Sequence, residues 1–379
     1  MKCLFLFLLT FLFQFANTQT LSKGNEHYLI VGTYDSPKSE GIYVYKFNSK
    51  DGSAKQVSHV KTSNPSFLAI APNEKFIYAV NENGNDKGKG GSVTSFSFDK
   101  TNGILTKINS QPSEGNHPCY ISIDKTGKWA IISNYSSGTL ALLAIKENGE
   151  LEKSRQYTEY HGSGPDSARQ RSSHIHTAVL DSANKTLYVT DLGGDELYAL
   201  GFDPGFGIQA PKPYYFKLRP GSGPRHLDIH PNRRFLYLLE ELSGSVIAFS
   251  INAEGSLSGI QQVSILPKNY TGPASSADIH VSPDGRFLYA SNRGESNTIA
   301  IFSIDKKSGK LKLVGHQSTL GKTPRNFNFD PSGKFLLVGN QNSDEIVIFK
   351  RNMNTGLLTD TGKRISIGKP VCIQWIKSK

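Results

Sequence analysis

The strongest constraint on this chain is a repeat that returns about every fifty residues. Glycine-containing turns followed closely by an apolar residue stand at Gly52, Gly103, Gly149, Gly205-Phe206-Gly207, Gly255, Gly309 and Gly356. Glycine suits tight hairpins because their turns need positive φ, so these mark seven hairpins. A second kind of hairpin, a polar turn running into an apolar strand, leads to Phe76, Trp129, Leu187, Phe235, Phe287 and Phe335, and that makes only six. Residues 371–376 match the strand before such a turn, and residues 28–33 match the strand after it. The two ends of the chain therefore share one repeat. Four short strands per repeat, without an amphipathic helical stretch, predict an all-β fold: a seven-bladed β-propeller closed by pairing the N- and C-terminal strands in one blade. A pair of β-sandwiches or a β-helix would not predict a terminal exchange in phase with the repeat.

Residues 1–18 read as a signal peptide: Lys2 is a short positive start, an apolar run follows, and Ala16-Asn17-Thr18 offers small residues near a cut. Residues 19–379 then form the propeller, exported as a periplasmic or secreted protein with no stable membrane insertion after cleavage. Only Cys119 and Cys372 remain in that part, too few for a disulfide framework. The formal net charge of +11 is scattered over turn lysines such as Lys50, Lys100, Lys306 and Lys307. A nucleic-acid partner would need that charge clustered on one face, so none is expected, and a monomer is.

The innermost strands open at Pro65, Pro118, Ile175, Pro224, Ser276, Pro324 and Pro370. Those ends ring one mouth of the central channel, and each antiparallel second strand returns to the same mouth. One residue inside the inner strands stand Ser66, Cys119, His176, Arg225, Ala277, Arg325 and Val371. Just past the second strands stand Glu82, Tyr135, Leu192, Glu241, Arg293, Gln341 and Tyr34. The Asn and Asp residues before this second ring are turn formers that bond nearby backbone. Turn formation does not account for His176, Arg225, Glu241, Arg293 and Arg325. Three guanidiniums near one axis repel, so they require carboxylates such as Glu82, Glu240 and Glu241, or an anionic ligand.

The longest connection over this mouth, residues 161–174, is rich in Gly and Ser and carries Arg169 and Arg171. It is expected to act as a mobile flap. His174 and His176 alternate along one strand, but no third ligand groups with them, so no metal and no cofactor are expected. No serine sits in a Gly-x-Ser-x-Gly elbow, and neither cysteine has a clear base, which leaves covalent catalysis unsupported.

His174-Ile175-His176 after a Gly-Ser-Gly-Pro loop, Thr190-Asp191-Leu192-Gly193, Gly223-Pro224-Arg225-His226, Glu240-Glu241-Leu242 and Ser291-Asn292-Arg293 resemble the seven-bladed lactonase family. That family includes the propeller-type 6-phosphogluconolactonases and the fungal carboxy-muconate cyclases. The resemblance runs through the chain in register. It implies an enzyme that hydrolyses a sugar-type lactone, with catalytic residues His176, Arg225, Glu241 and Arg293, and Arg325 as a binder. Export departs from the family's cytoplasmic role in the pentose phosphate pathway.

In that chemistry Glu241 is expected to be the base, its pKa raised by neighbouring Glu240. Arg225 and Arg293 would stabilise the oxyanion. His176 would protonate the leaving ring oxygen, or exchange roles with Glu241. Arg325, Arg169 and Arg171 would hold an anionic group on the substrate, with His174 and Glu82 completing the binding set. The expected partner is a small anionic or polyhydroxylated lactone. Lactonisation of a muconate-type diacid would use the same transition state. A non-catalytic binding propeller would instead show an aromatic or apolar rim.

Overall fold

The computed structural model describes residues 24–86 and 90–377. The expected signal peptide, residues 1–18, lies outside the described residues. Seven four-stranded antiparallel sheets carry the chain. Blade 1 is built from Pro370–Lys377, Glu26–Thr33, Gly41–Asn48 and Ser53–Lys61, from the channel outward. Its innermost strand is thus the last one of the chain, paired antiparallel with the first. Blades 2 to 7 follow in chain order, their inner strands being Leu68–Ile70, Pro118–Ile123, Ile175–Leu180, Pro224–Ile229, Ser276–Val281 and Pro324–Phe329. Each inner strand packs on the next, and the last packs on the first, which closes the ring. Among the described residues no helix is long and apolar enough to cross a membrane.

The apolar residues do not gather into one core. They form seven clusters among the described residues, each shared by two neighbouring blades. Blade 5 meets blade 6 through Tyr237, Leu239, Ile279 and Leu288; blade 7 meets blade 1 through Leu337, Ile348, Val31 and Ile373. This follows from the strand pattern. A sheet buried on both faces needs apolar residues at successive positions, and the second strands Phe235–Glu240 and Phe335–Asn340 are buried throughout.

The turn glycines also join blades. Gly309 has φ +72°, and a Cβ there would lie 2.5 Å from the Phe235 ring of the preceding blade. Its carbonyl accepts a hydrogen bond from Tyr237 Oη at 3.0 Å. The same tyrosine-to-turn bond recurs from Tyr78 to Gly149, Tyr188 to Gly255 and Tyr289 to Gly356. Glycine is therefore required twice, by the turn and by the ring beside it.

Candidate active site

Two backbone devices bring side chains to one mouth of the channel. The first fixes the residue after each second strand: its N–H donates to the carbonyl just ahead of the inner strand in all seven blades, as in Glu241 to Gly223 at 2.6 Å and Arg293 to Ser275 at 3.0 Å. The preceding Asn or Asp ties down the same corner; Asn81 Nδ2 donates to Ser63 O and Asp191 Oδ1 accepts from His174 N. The second device is a β-bulge at the start of the inner strand. The pairing slips across Cys119, His176, Arg225, Ala277, Arg325 and Val371. A bulge leaves its extra residue out of the ladder and re-aims its side chain, here into the channel.

Together they line a cavity of about 290 Å³ with Tyr34, Glu82, Cys119, Tyr135, Arg169, His176, Arg225, Glu241, Arg293 and Arg325. Nine of these ten stand on the two expected rings; Arg169 alone comes from the connection 161–174.

Glu241 is the hub. It is 3% exposed. Its Oε1 accepts from Arg169 Nη2 at 2.6 Å, while its Oε2 lies 2.9 Å from Arg225 Nε and 3.0 Å from Arg293 Nη2. The Arg225 contact is ionic rather than a directed hydrogen bond; that side chain is anchored instead by Nη1 on Ala277 O. Arg293 is held by Ser275 O and Ser276 O. Burial by itself would raise the Glu241 carboxyl, but Arg293, Arg225 and Arg169 outweigh it and hold the pKa at about 2.

This corrects the expectation that Glu240 would push Glu241 upward. Glu240 is the last residue of its strand, and its carboxylate turns away to accept from Ser243 Oγ and Gln262 Nε2. A carboxylate so strongly paired is a poor base.

His176 is 4% exposed, and burial together with Arg225, His226 and Arg325 holds its pKa well below the usual imidazole value. Its Nδ1 faces Cys119 Sγ at 3.8 Å. Burial raises the Cys119 thiol far above its ordinary range, so it is no ready nucleophile. Both Cys119 and Cys372 are free and buried.

On the other side of the cavity Tyr34 Oη donates to Glu82 Oε2 at 2.7 Å. Arg325 lies over the Tyr34 ring, its Cζ 5.1 Å from the ring centre, and its Nη2 is 3.9 Å from Glu82 Oε1. Glu82 thus reaches the cavity as the counter-ion that orients Arg325.

Two expected binders fall elsewhere. His174 buttresses the wall: its Nδ1–H donates to Tyr135 O at 2.9 Å and its ring stacks on Tyr135 at 4.4 Å. Arg171 is exposed, donates from Nε to Ser167 O at 2.5 Å, and lines a separate hollow with Tyr160 and His161. The flap is also better tied than its composition suggested. Gln170 is fully buried, with Nε2 on Leu192 O and Asp195 Oδ1, and this anchor delivers Arg169 to Glu241 and to Tyr135 Oη. Tyr34, Tyr135 and Cys119 were legible only as ring positions. Among the described residues no group of three or more His, Cys, Asp or Glu side chains could hold a metal ion.

Residues 28–375 match the model of the seven-bladed β-propeller lactonases. The chain belongs to that family. It is 40% identical over 335 residues to a 6-phosphogluconolactonase of Formosa agariphila, covering 87% of this chain and 94% of that one. To the Bacillus subtilis 6-phosphogluconolactonase it is 34% identical over 348 residues, covering 91% and 97%. Among solved structures, the Pseudomonas aeruginosa periplasmic gluconolactonase matches with a TM-score of 0.89 at 36% identity, over 93% of this chain and all of that one. A Bacteroides fragilis protein matches equally well, with a TM-score of 0.89 at 39% identity, over 95% and 100%.

Proposed function

We propose that this lactonase-family member hydrolyses a sugar-acid lactone bearing an anionic group, at the arginine-rich mouth of its channel and outside the cytoplasm. The observation that carries the reading is the charge of the cavity. Four guanidiniums, from Arg169, Arg225, Arg293 and Arg325, converge on a space whose acidic residues are Glu82 and Glu241. That excess of positive charge is complementary to a phosphate or carboxylate. The named activities of its relatives support the reaction class, and the periplasmic relative supports the compartment.

In this mechanism water attacks the lactone carbonyl carbon, and neutral His176 accepts a proton from it. The developing oxyanion is met by Arg225 and Arg293, held in place before substrate arrives. The C–O bond to the ring oxygen then breaks, and the leaving alkoxide takes the proton back from His176. Burial, and after it Arg225, His226 and Arg325, lower the basicity of His176 in the free protein. An anion between the two arginines offsets their charge, so the imidazole becomes a better base as the reaction proceeds. Glu241 is the anion that keeps three guanidiniums together, and Arg325 and Arg169 hold the substrate's anionic group.

A pH-stat assay across phosphorylated and plain δ- and γ-lactones tests this. Proton release with 6-phosphoglucono-δ-lactone, faster than with the plain sugar lactone at equal low concentration, is expected. Inactivity on every lactone, or a preference for the uncharged ones, would overturn the reading.

A further inference from the structure

The channel holds a second cavity, of about 390 Å³, beyond the floor of the first. Its walls come from residues deeper in the same inner strands, so it lies toward the opposite mouth. The chemistry there is reversed. No Lys or Arg lines it, and its acidic and imidazole groups are Asp228, Asp278, His226 and His280.

Asp278 is fully committed: it accepts from His226 Nδ1, His280 Nε2, Asn326 Nδ2 and the Ile279 and Phe327 amides. It ties neighbouring blades together. Asp228 is different. It accepts from the Ile229 and Val281 amides and has His280 Nδ1 only at 3.9 Å, and about a third of its side chain is exposed. Asn328 spends Nδ2 on Ile373 O, leaving its carbonyl oxygen; Gln374 donates from Nε2 to Cys372 Sγ at 4.0 Å. The charged capacity that remains is therefore an acceptor, and the Asn328 and Gln374 amides line the same cavity. The Phe67 and Tyr120 rings, 4.2 Å apart, also line it. Two carboxylates against His280 leave the cavity net negative, since burial and Arg225 hold the pKa of His226 at about 4.

We propose that this end of the channel is a second binding site, for a small organic ammonium ion. The ammonium group would sit on Asp228 and the amide oxygens, with its carbon skeleton packed on the Phe67–Tyr120 pair. An anion is excluded by the absence of any cationic anchor but His280, so the lactone itself does not fit here.

Isothermal titration of the full-length protein at pH 7 with glucosamine, and with glucose as its uncharged counterpart, tests the assignment. Saturable binding of glucosamine, at least tenfold tighter than glucose, is expected. Asp228→Asn should weaken it at least tenfold while leaving lactone hydrolysis within twofold of the parent. If Asp228→Asn does not fold, Gln374→Leu carries the test, with a weakening of at least threefold. Absence of saturable heat, equal binding of glucose, or unchanged binding in the folded variant would each overturn the proposal.

Discussion

Without the Glu241 carboxylate, Arg169, Arg225 and Arg293 would face one another without their shared counter-charge, Arg225 deeply buried and Arg293 mostly so. Breaking a buried ionic cluster from one side costs about 3–5 kcal/mol, so Glu241→Gln should lower stability at pH 7 by that order in urea unfolding. The sign with pH follows from a folded pKa of about 2 against an ordinary 4.5. Such a group contributes its stability fully above pH 4.5 and loses it as pH falls toward 2. The gap between parent and variant should therefore close across that window; a gap independent of pH would refute the pairing. His176 titrates below the usual imidazole range, so the acid limb of kcat/KM is expected below pH 6.5, and a limb at pH 7 or above would exclude it as the base. Tyr34 acts one step back, through Glu82 and Arg325. Tyr34→Phe should raise KM several-fold with kcat within twofold, and a change confined to kcat would contradict that positioning role.

Strands and loops set which of these side chains can meet. The bulges at Cys119, His176, Arg225 and Arg325 aim side chains into the channel that a regular ladder would place differently. The connection 161–174 separates its two arginines: Arg169 is delivered by buried Gln170, and Arg171 turns outward. Losing a charge-assisted bond of about 1.5–3 kcal/mol should raise KM for an anionic lactone about tenfold or more in Arg169→Ala. Arg171→Ala should stay within twofold, and steady-state kinetics on both variants decide it. At the outer hairpins, Gly309→Ala would combine a strained φ with a Cβ set against Phe235. Overpacking of this kind costs about 1–3 kcal/mol, and chemical denaturation should show it.

The whole molecule was legible because its repeat is written in turn chemistry, and because residues 28–33 and 371–376 are two halves of one hairpin. The site was legible for the same reason: ring positions follow from strand register, and register follows from the repeat. Arg225, Glu241, Arg293 and Arg325 could be placed without knowing any contact. What register does not specify is direction. Glu240 and Glu241 are adjacent, yet one turns toward Gln262 and the other into the mouth, and that choice reverses the sign of a pKa shift. Loop conformation was equally hidden, since the anchor of Arg169 is a glutamine whose Nε2 partners lie more than twenty residues away. The seven inter-blade cores mean that every blade depends on both neighbours and on the terminal strand pair.

The most direct test of the arginine-rich mouth as a lactone-hydrolysing centre is kcat/KM on 6-phosphoglucono-δ-lactone for the parent and for Arg225→Lys. The substitution keeps the charge beside Glu241 but loses the planar fork. Measurable hydrolysis by the parent and a loss of about 100-fold or more in the variant, with an unfolding transition still cooperative, is the predicted result. A parent that leaves the lactone untouched, or a variant as fast as the parent, would contradict it.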